Sequence, residues 1–224
     1  EDGAAVDGLP TYSTVQAAVD SVPADNTERQ VIYIKTGDYN ERLVVASPNI
    51  SLVGEKQDGV RIHCYPAALH PGDSTYEAGG DMSNRCATYI MATATGFSAE
   101  NITFANDYDY STPDGKSNKS ADALRCDADG ATFVNVTISG VQDTLYMNSG
   151  NQYYYQCRIE GLIDFIYSGD AARALFEDCE IVFVYEETHP EGGYVCAPRT
   201  TPDAPYGLIF NNCVITSEEG FSRY

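Results

Sequence analysis

The stretch GLIDFIYSGDA, residues 161–171, sets the carboxylate of Asp164 between Ile163 and Phe165 in a run of strand-forming residues. Placing an ionisable group in such a run costs desolvation energy, and a plain turn aspartate would sit beside Gly or Pro. A second interrupted run, GVQDTLY at 140–146, puts Gln142 next to Asp143, 21 residues before Asp164. Two carboxyls held close cannot both ionise cheaply, so the pair divides into an acid and an anion. An adjacent amide offers the neutral N–H donor that an oxyanion needs during acyl transfer. The competing reading is an aspartate ladder that only caps turns.

Which reading applies depends on whether 21 residues is a structural period. The tetrapeptides NISL at 49, NITF at 101, NVTI at 135, QCRI at 156, DCEI at 178 and NCVI at 212 share one pattern of polar, apolar, any, apolar. Their successive intervals are 52, 34, 21, 22 and 34 residues. The short intervals fit one coil of a solenoid, the long ones a coil carrying a loop. Between the marks run β-branched and aromatic segments with abundant Gly and Asn and almost no helical periodicity, which predicts an all-β, single-stranded parallel β-helix. Strands one coil apart lie about 4.8 Å from each other, so Asp143 and Asp164 are expected to stack on neighbouring coils.

Composition narrows the function classes. The 224 residues, 43% of them apolar, suffice for one elongated domain with a real core, here read as residues 1–224. Thirteen basic against 33 acidic residues give a net charge of -20, which argues against nucleic acid or an anionic membrane as partner. The longest apolar runs, such as VIYI at 31–34, are too short to span a bilayer, and the first residues lack a signal-peptide pattern. The chain is expected to be mature or never targeted.

Seven cysteines form no CxxC pair and no Cys/His cluster, so a metal site is not expected. Cys157, Cys179 and Cys213 should share one ladder, either as buried small apolar groups or, in an oxidising compartment, with a Cys157–Cys179 disulfide. His63, His70 and His189 show no ligand spacing and are assigned to core or surface. Near the N-terminus, Ser13 and Gln16 read as a capping box. Val15, Ala18, Val19 and Val22 then fall on one face before Pro23, which predicts an amphipathic helix over 13–22 plugging the open end of the β-helix.

These segments resemble the pectin methylesterases. GVQDTLY and GLIDFIYSGDA look like that family's two aspartate motifs, GDYNE at 37–41 its early GxYxE motif, and TYSTVQAAVDSVP its N-terminal helix. The similarity runs from about Thr11 onward. It implies a right-handed parallel β-helix that releases methanol from methyl-esterified homogalacturonan, without metal or cofactor, as a secreted or periplasmic monomer. By the same resemblance Asp164 is the nucleophile and Asp143 the acid and then the base. Gln142 is the oxyanion donor. Thr88, Ile163 and Tyr167 are implied as sugar contacts, with Ala197 and Tyr206 near the groove.

Two departures stand out. Where the family has a second oxyanion glutamine in a QAVAL-like motif, this chain reads Ser120, Ala121, Asp122, Ala123, Leu124. Ser120 precedes Gln142 by 22 residues and is the expected substitute donor. The family's LGRPW arginine, which holds the nucleophile, and its sugar-packing tryptophan have no counterpart, since the chain ends at FSRY and contains no Trp. Arg223 does not match that motif. The expectation is a C-terminally incomplete and weakly active esterase. Two alternatives remain, another β-helical pectinase (glycoside hydrolase or lyase) and a non-catalytic glycan-binding or adhesin fragment. A hydrolase would flank a glycosidic bond with its carboxyls, and a lyase would use calcium and basic residues. Both are disfavoured by the Gln142–Asp143 pair and the scarcity of Lys and Arg.

Overall fold

The computed structural model describes residues 4–6, 8–65, 85–111 and 118–222. Strands one coil apart pair in parallel, and three ladders run the length of the molecule as a right-handed parallel β-helix. One ladder comprises Gly37–Asn40, Val60–Cys64, Thr103–Asn106, Thr137–Ser139, Arg158–Gly161, Glu180–Phe183 and Val214–Ser217. The other two fuse where the long strands Leu145–Tyr155 and Ile163–Glu177 serve both faces, with a register irregularity between Met147 and Ser149. The interior follows from strand alternation stacked coil on coil. Ile62, Phe104, Ile138, Ile159 and Ile181 occupy one register line, and each is fully buried.

A second interior line is aromatic. Phe133, Tyr154 and Phe176 are buried and stack in turn, with the exposed Phe210 ending the line, at centroid separations of 4.8, 4.7 and 4.7 Å. Tyr154 is fully buried, so its hydroxyl needs a partner; it donates to Gln152 Oε1 at 2.7 Å, and Gln152 in turn donates to the Cys126 carbonyl. The cysteine ladder forms as expected, but the thiols of Cys157, Cys179 and Cys213 donate to the carbonyls of Phe133, Tyr154 and Phe176, and all seven cysteines are free.

The polar residue that opens each repeat is explained by backbone geometry. Asn101, Asn135, Gln156, Asp178 and Asn212 all have φ between 52° and 59°, the left-handed region in which Asn and Asp are enriched. They stack at one corner, where Asn135 donates to Asn101 at 2.6 Å and Asn212 to Asp178 at 2.5 Å. The NISL repeat is a correction. Asn49 shares the positive φ but opens the strand Ile50–Gly54 in a different ladder, and the residue opposite Thr103 is Arg61. The same Asn-plus-β-branched chemistry suits any left-handed corner, so the pattern alone cannot distinguish two corners of one coil. At the true corner the coil that holds Asn49 uses Gly54, where a Cβ would lie 2.1 Å from the Asn101 carbonyl oxygen.

The predicted helix is shorter than expected, Val15–Asp20, and its cap is Thr14 rather than Ser13. Thr14 Oγ1 accepts from Ala17 N at 3.1 Å. The next two free amides, Val15 and Gln16, are taken by the Glu41 carboxylate at 2.8 Å each. Gln16 therefore does not close a capping box. Its amide instead pairs with both backbone groups of Val44, in a strand that has a strand neighbour on one side only. Val15, Ala18 and Val19 are buried on this side. Among the described residues no helix is long and apolar enough to cross a membrane.

Candidate active site

Asp143 and Asp164 sit at the entry to the first halves of the two long strands. Leu145 pairs with Ile166 and Gln142 bridges Ile163, so the aspartates occupy equivalent places on adjacent coils. Both adopt left-handed backbone, φ 59° and 49°, the conformation used at the asparagine corner. The tight turn before Asp164 requires Gly161, where a Cβ would fall 2.2 Å from Phe165 Cβ. Phe165 is fully buried against Phe183 at 5.4 Å, and it fixes the corner from inside while Asp164 remains partly exposed. Two apolar cavities lie elsewhere, between Phe183, Gly193 and Phe221 and between Ile181, Val195 and Cys213.

The two carboxyls have different surroundings. Asp143 accepts a short hydrogen bond from the Ser120 hydroxyl and lies 3.4 Å from Arg85 Nη2. Among the described residues, the Asp164 side chain makes no hydrogen bond or ion pair. Burial raises the Asp143 carboxyl above the usual range; Ser120 and Arg85 oppose that rise and the Asp164 charge adds to it. Asp143 is thus biased toward holding a proton. Gln142 Nε2 reaches Ser120 Oγ at 3.4 Å, and Ser120 Oγ also lies 2.6 Å from Asn118 Oδ1.

Tyr167 is half-buried, with its ring parallel to that of Tyr146 at 4.1 Å, and Ala197 stands next to it in register. Ile163 is partly exposed at the same corner. Thr88 corrects the sequence reading: it is fully buried and shares an inward-facing line with Leu43 and Leu124, so it cannot touch a ligand. The signal was present, since alternation gives Thr88 the parity of Ile90 and turns Tyr89 outward. Tyr206 is also displaced, standing at another corner against Arg173 and Asn151. His63 is buried between Asp38 and Asp107, and His189 packs edge-on to Tyr110 at 5.5 Å. His70 and Arg223 lie outside the described residues.

Sequence reasoning missed Arg85 and Asp122. Asp122 is fully buried and 3.0 Å from Arg85 Nε, and Cys86 Sγ donates to its other oxygen at 3.2 Å. Burial dominates and lifts the Asp122 carboxyl to about 7 against the pull of Arg85. From about pH 4 to pH 7 the folded chain therefore holds a proton that the unfolded chain has released, so this group's stabilisation falls as pH rises through that window. Asp122→Asn should flatten that part of the profile, by up to about 1.4 kcal/mol per pH unit. Urea unfolding of both proteins at a series of pH values checks it, and identical slopes would mean that Asp122 is ionised throughout.

Stacked parallel coils bearing an amide and two aspartates in register define a β-helix protein with a candidate carboxylate site. The chain belongs to the pectinesterase family, whose profile, Pectinesterase, matches residues 3–223. It is 34% identical to probable pectinesterase 8 of Arabidopsis thaliana over 93% of this chain and 51% of that protein. Pectin methylesterase from Yersinia enterocolitica superposes with a TM-score of 0.82 at 35% identity, over 93% of this chain and 67% of that one. A pectin methylesterase mutant in complex with a hexasaccharide superposes at 0.81 with 33% identity, over 93% and 63%. The chain thus spans between about half and two thirds of the length of such relatives.

Proposed function

We propose that the chain hydrolyses methyl esters of homogalacturonan, releasing methanol and leaving free carboxylates on the polymer, outside the cytoplasm. The observation that carries this reading is the placement of Asp143 and Asp164 at equivalent positions on adjacent coils, beside Gln142. Asp164 attacks the ester carbonyl carbon, and the charge moves to the carbonyl oxygen, where a Gln142 N–H meets it. Collapse breaks the bond to methoxide, which leaves as methanol with the proton of Asp143. Asp143, now a carboxylate, takes a proton from water; the hydroxide cleaves the acyl-enzyme and restores Asp164. In the resting site Ser120 Oγ lies against both Asp143 and Asn118 Oδ1. Ser120 therefore orients the acid, and it serves the oxyanion only after its hydroxyl turns. Ile163 and Tyr167 flank Asp164 as sugar contacts.

The relatives named pectin methylesterases and the hexasaccharide bound to one of them support the substrate class. Incubation with highly esterified pectin should release methanol without shortening the polymer. Shortened chains would point to a glycosidase or lyase, and binding without methanol to a glycan-binding module.

A further inference from the structure

We propose that Arg85 is the positioning cation of this site, delivered from two coils away and anchored by the buried carboxyl of Asp122. The inference rests on the esterase reading above. Arg85 precedes the strand Thr88–Ile90, Asp122 precedes Leu124–Cys126 and Asp143 precedes Leu145–Tyr155, three consecutive coils of one ladder. The guanidinium runs along the ladder, with Nε on Asp122 at 3.0 Å and Nη2 3.4 Å from Asp143 and hydrogen-bonded to the Tyr167 hydroxyl. Its side chain is only 10% exposed, and that of Asp122 not at all. Among the described residues no other Lys or Arg pairs with Asp143 or Asp164.

A purely structural Arg85–Asp122 pair would leave the rest of the guanidinium without a task. Here the fork serves two carboxyls and a phenol at once, which a planar five-donor group can do and an ammonium cannot. The chemistry gives it a place to act. Before attack Asp143 holds a proton; after methanol leaves, Asp143 is an anion beside Arg85. The attraction is strongest once the proton has gone, so it favours proton delivery more than ground-state binding. A largely buried cation should therefore affect kcat rather than KM.

The groups facing Asp143 are Ser120, Arg85 with Asp122 behind it, Asp164 on the next coil, and Tyr110. Three variants test the proposal. Arg85→Met should lower kcat for methanol release about tenfold to a hundredfold with KM within about twofold, and Arg85→Lys should recover part of the loss. Because Arg85→Met strands a buried carboxyl, the double variant Arg85→Met/Asp122→Asn removes that burden. Its melting temperature should recover while kcat stays low. Carboxyl carbon NMR should show the Asp143 midpoint rising when Arg85 is replaced by Met. A double variant with wild-type kcat, or an unmoved Asp143 midpoint, overturns the proposal. If the wild type releases no methanol, the esterase reading fails by itself, and the NMR titration still decides whether Arg85 acts on Asp143.

Discussion

Asp164→Asn should abolish methanol release and, in the same variant, raise the melting temperature. The catalytic half is direct. An amide of the same shape cannot attack an ester carbonyl, and loss of a covalent nucleophile costs on the order of 10⁴-fold or more in turnover. The stabilising half comes from the corner at which Asp164 sits. Its φ of 49° suits Asn as well as Asp. The substitution removes the Asp164 charge that works against ionisation of Asp143 and adds an N–H that can donate to it, as Asn135 donates to Asn101. A gain of about 1 kcal/mol would shift a domain of this size by roughly 2–4 °C. Turnover within tenfold of wild type would remove Asp164 from the mechanism. A lower melting temperature would show that the two carboxyls do not repel in the folded chain.

Gln142→Ala should slow methanol release by about a hundredfold to a thousandfold, the usual cost of one lost oxyanion donor. The neighbouring hydroxyl lies against Asp143 and Asn118 Oδ1, so little can compensate in the resting geometry. The loss should fall on kcat, since the donor is needed only when the carbonyl oxygen carries charge. Gln142→Glu should be at least as harmful, because a third carboxylate there opposes the same oxyanion. A rise in KM with unchanged kcat would instead place Gln142 among the sugar contacts.

The aspartate pair was legible because no loop interrupts the coil between Asp143 and Asp164, so sequence distance and coil period coincide. Asn49 belongs to another corner than its repeat pattern implies for the opposite reason: the first coils carry insertions, and a left-handed Asn looks the same at any corner. Thr88 points inward because strand parity, which the family resemblance does not carry, sets its face. Arg85 was not legible as a partner of Asp143, since it belongs to another coil and reaches the site through the length of its side chain. One clue did exist. Arg85 and Asp122 are opposite charges that each precede a buried strand of the same ladder, and coils laid in register bring them side by side.

The axial arrangement of the site has a thermodynamic consequence. In a solenoid each coil contacts only its neighbours, so cohesion is a chain of nearest-neighbour couplings rather than one global event. Arg85, Asp122, Asp143 and Asp164 each come from a different member of four consecutive coils. Activity therefore requires every one of the three junctions between them to be closed at once, whereas spectroscopic signals average over all coils. The site acts as a series circuit laid along the fibre axis, and opening any one of those junctions breaks it while most of the solenoid remains wound.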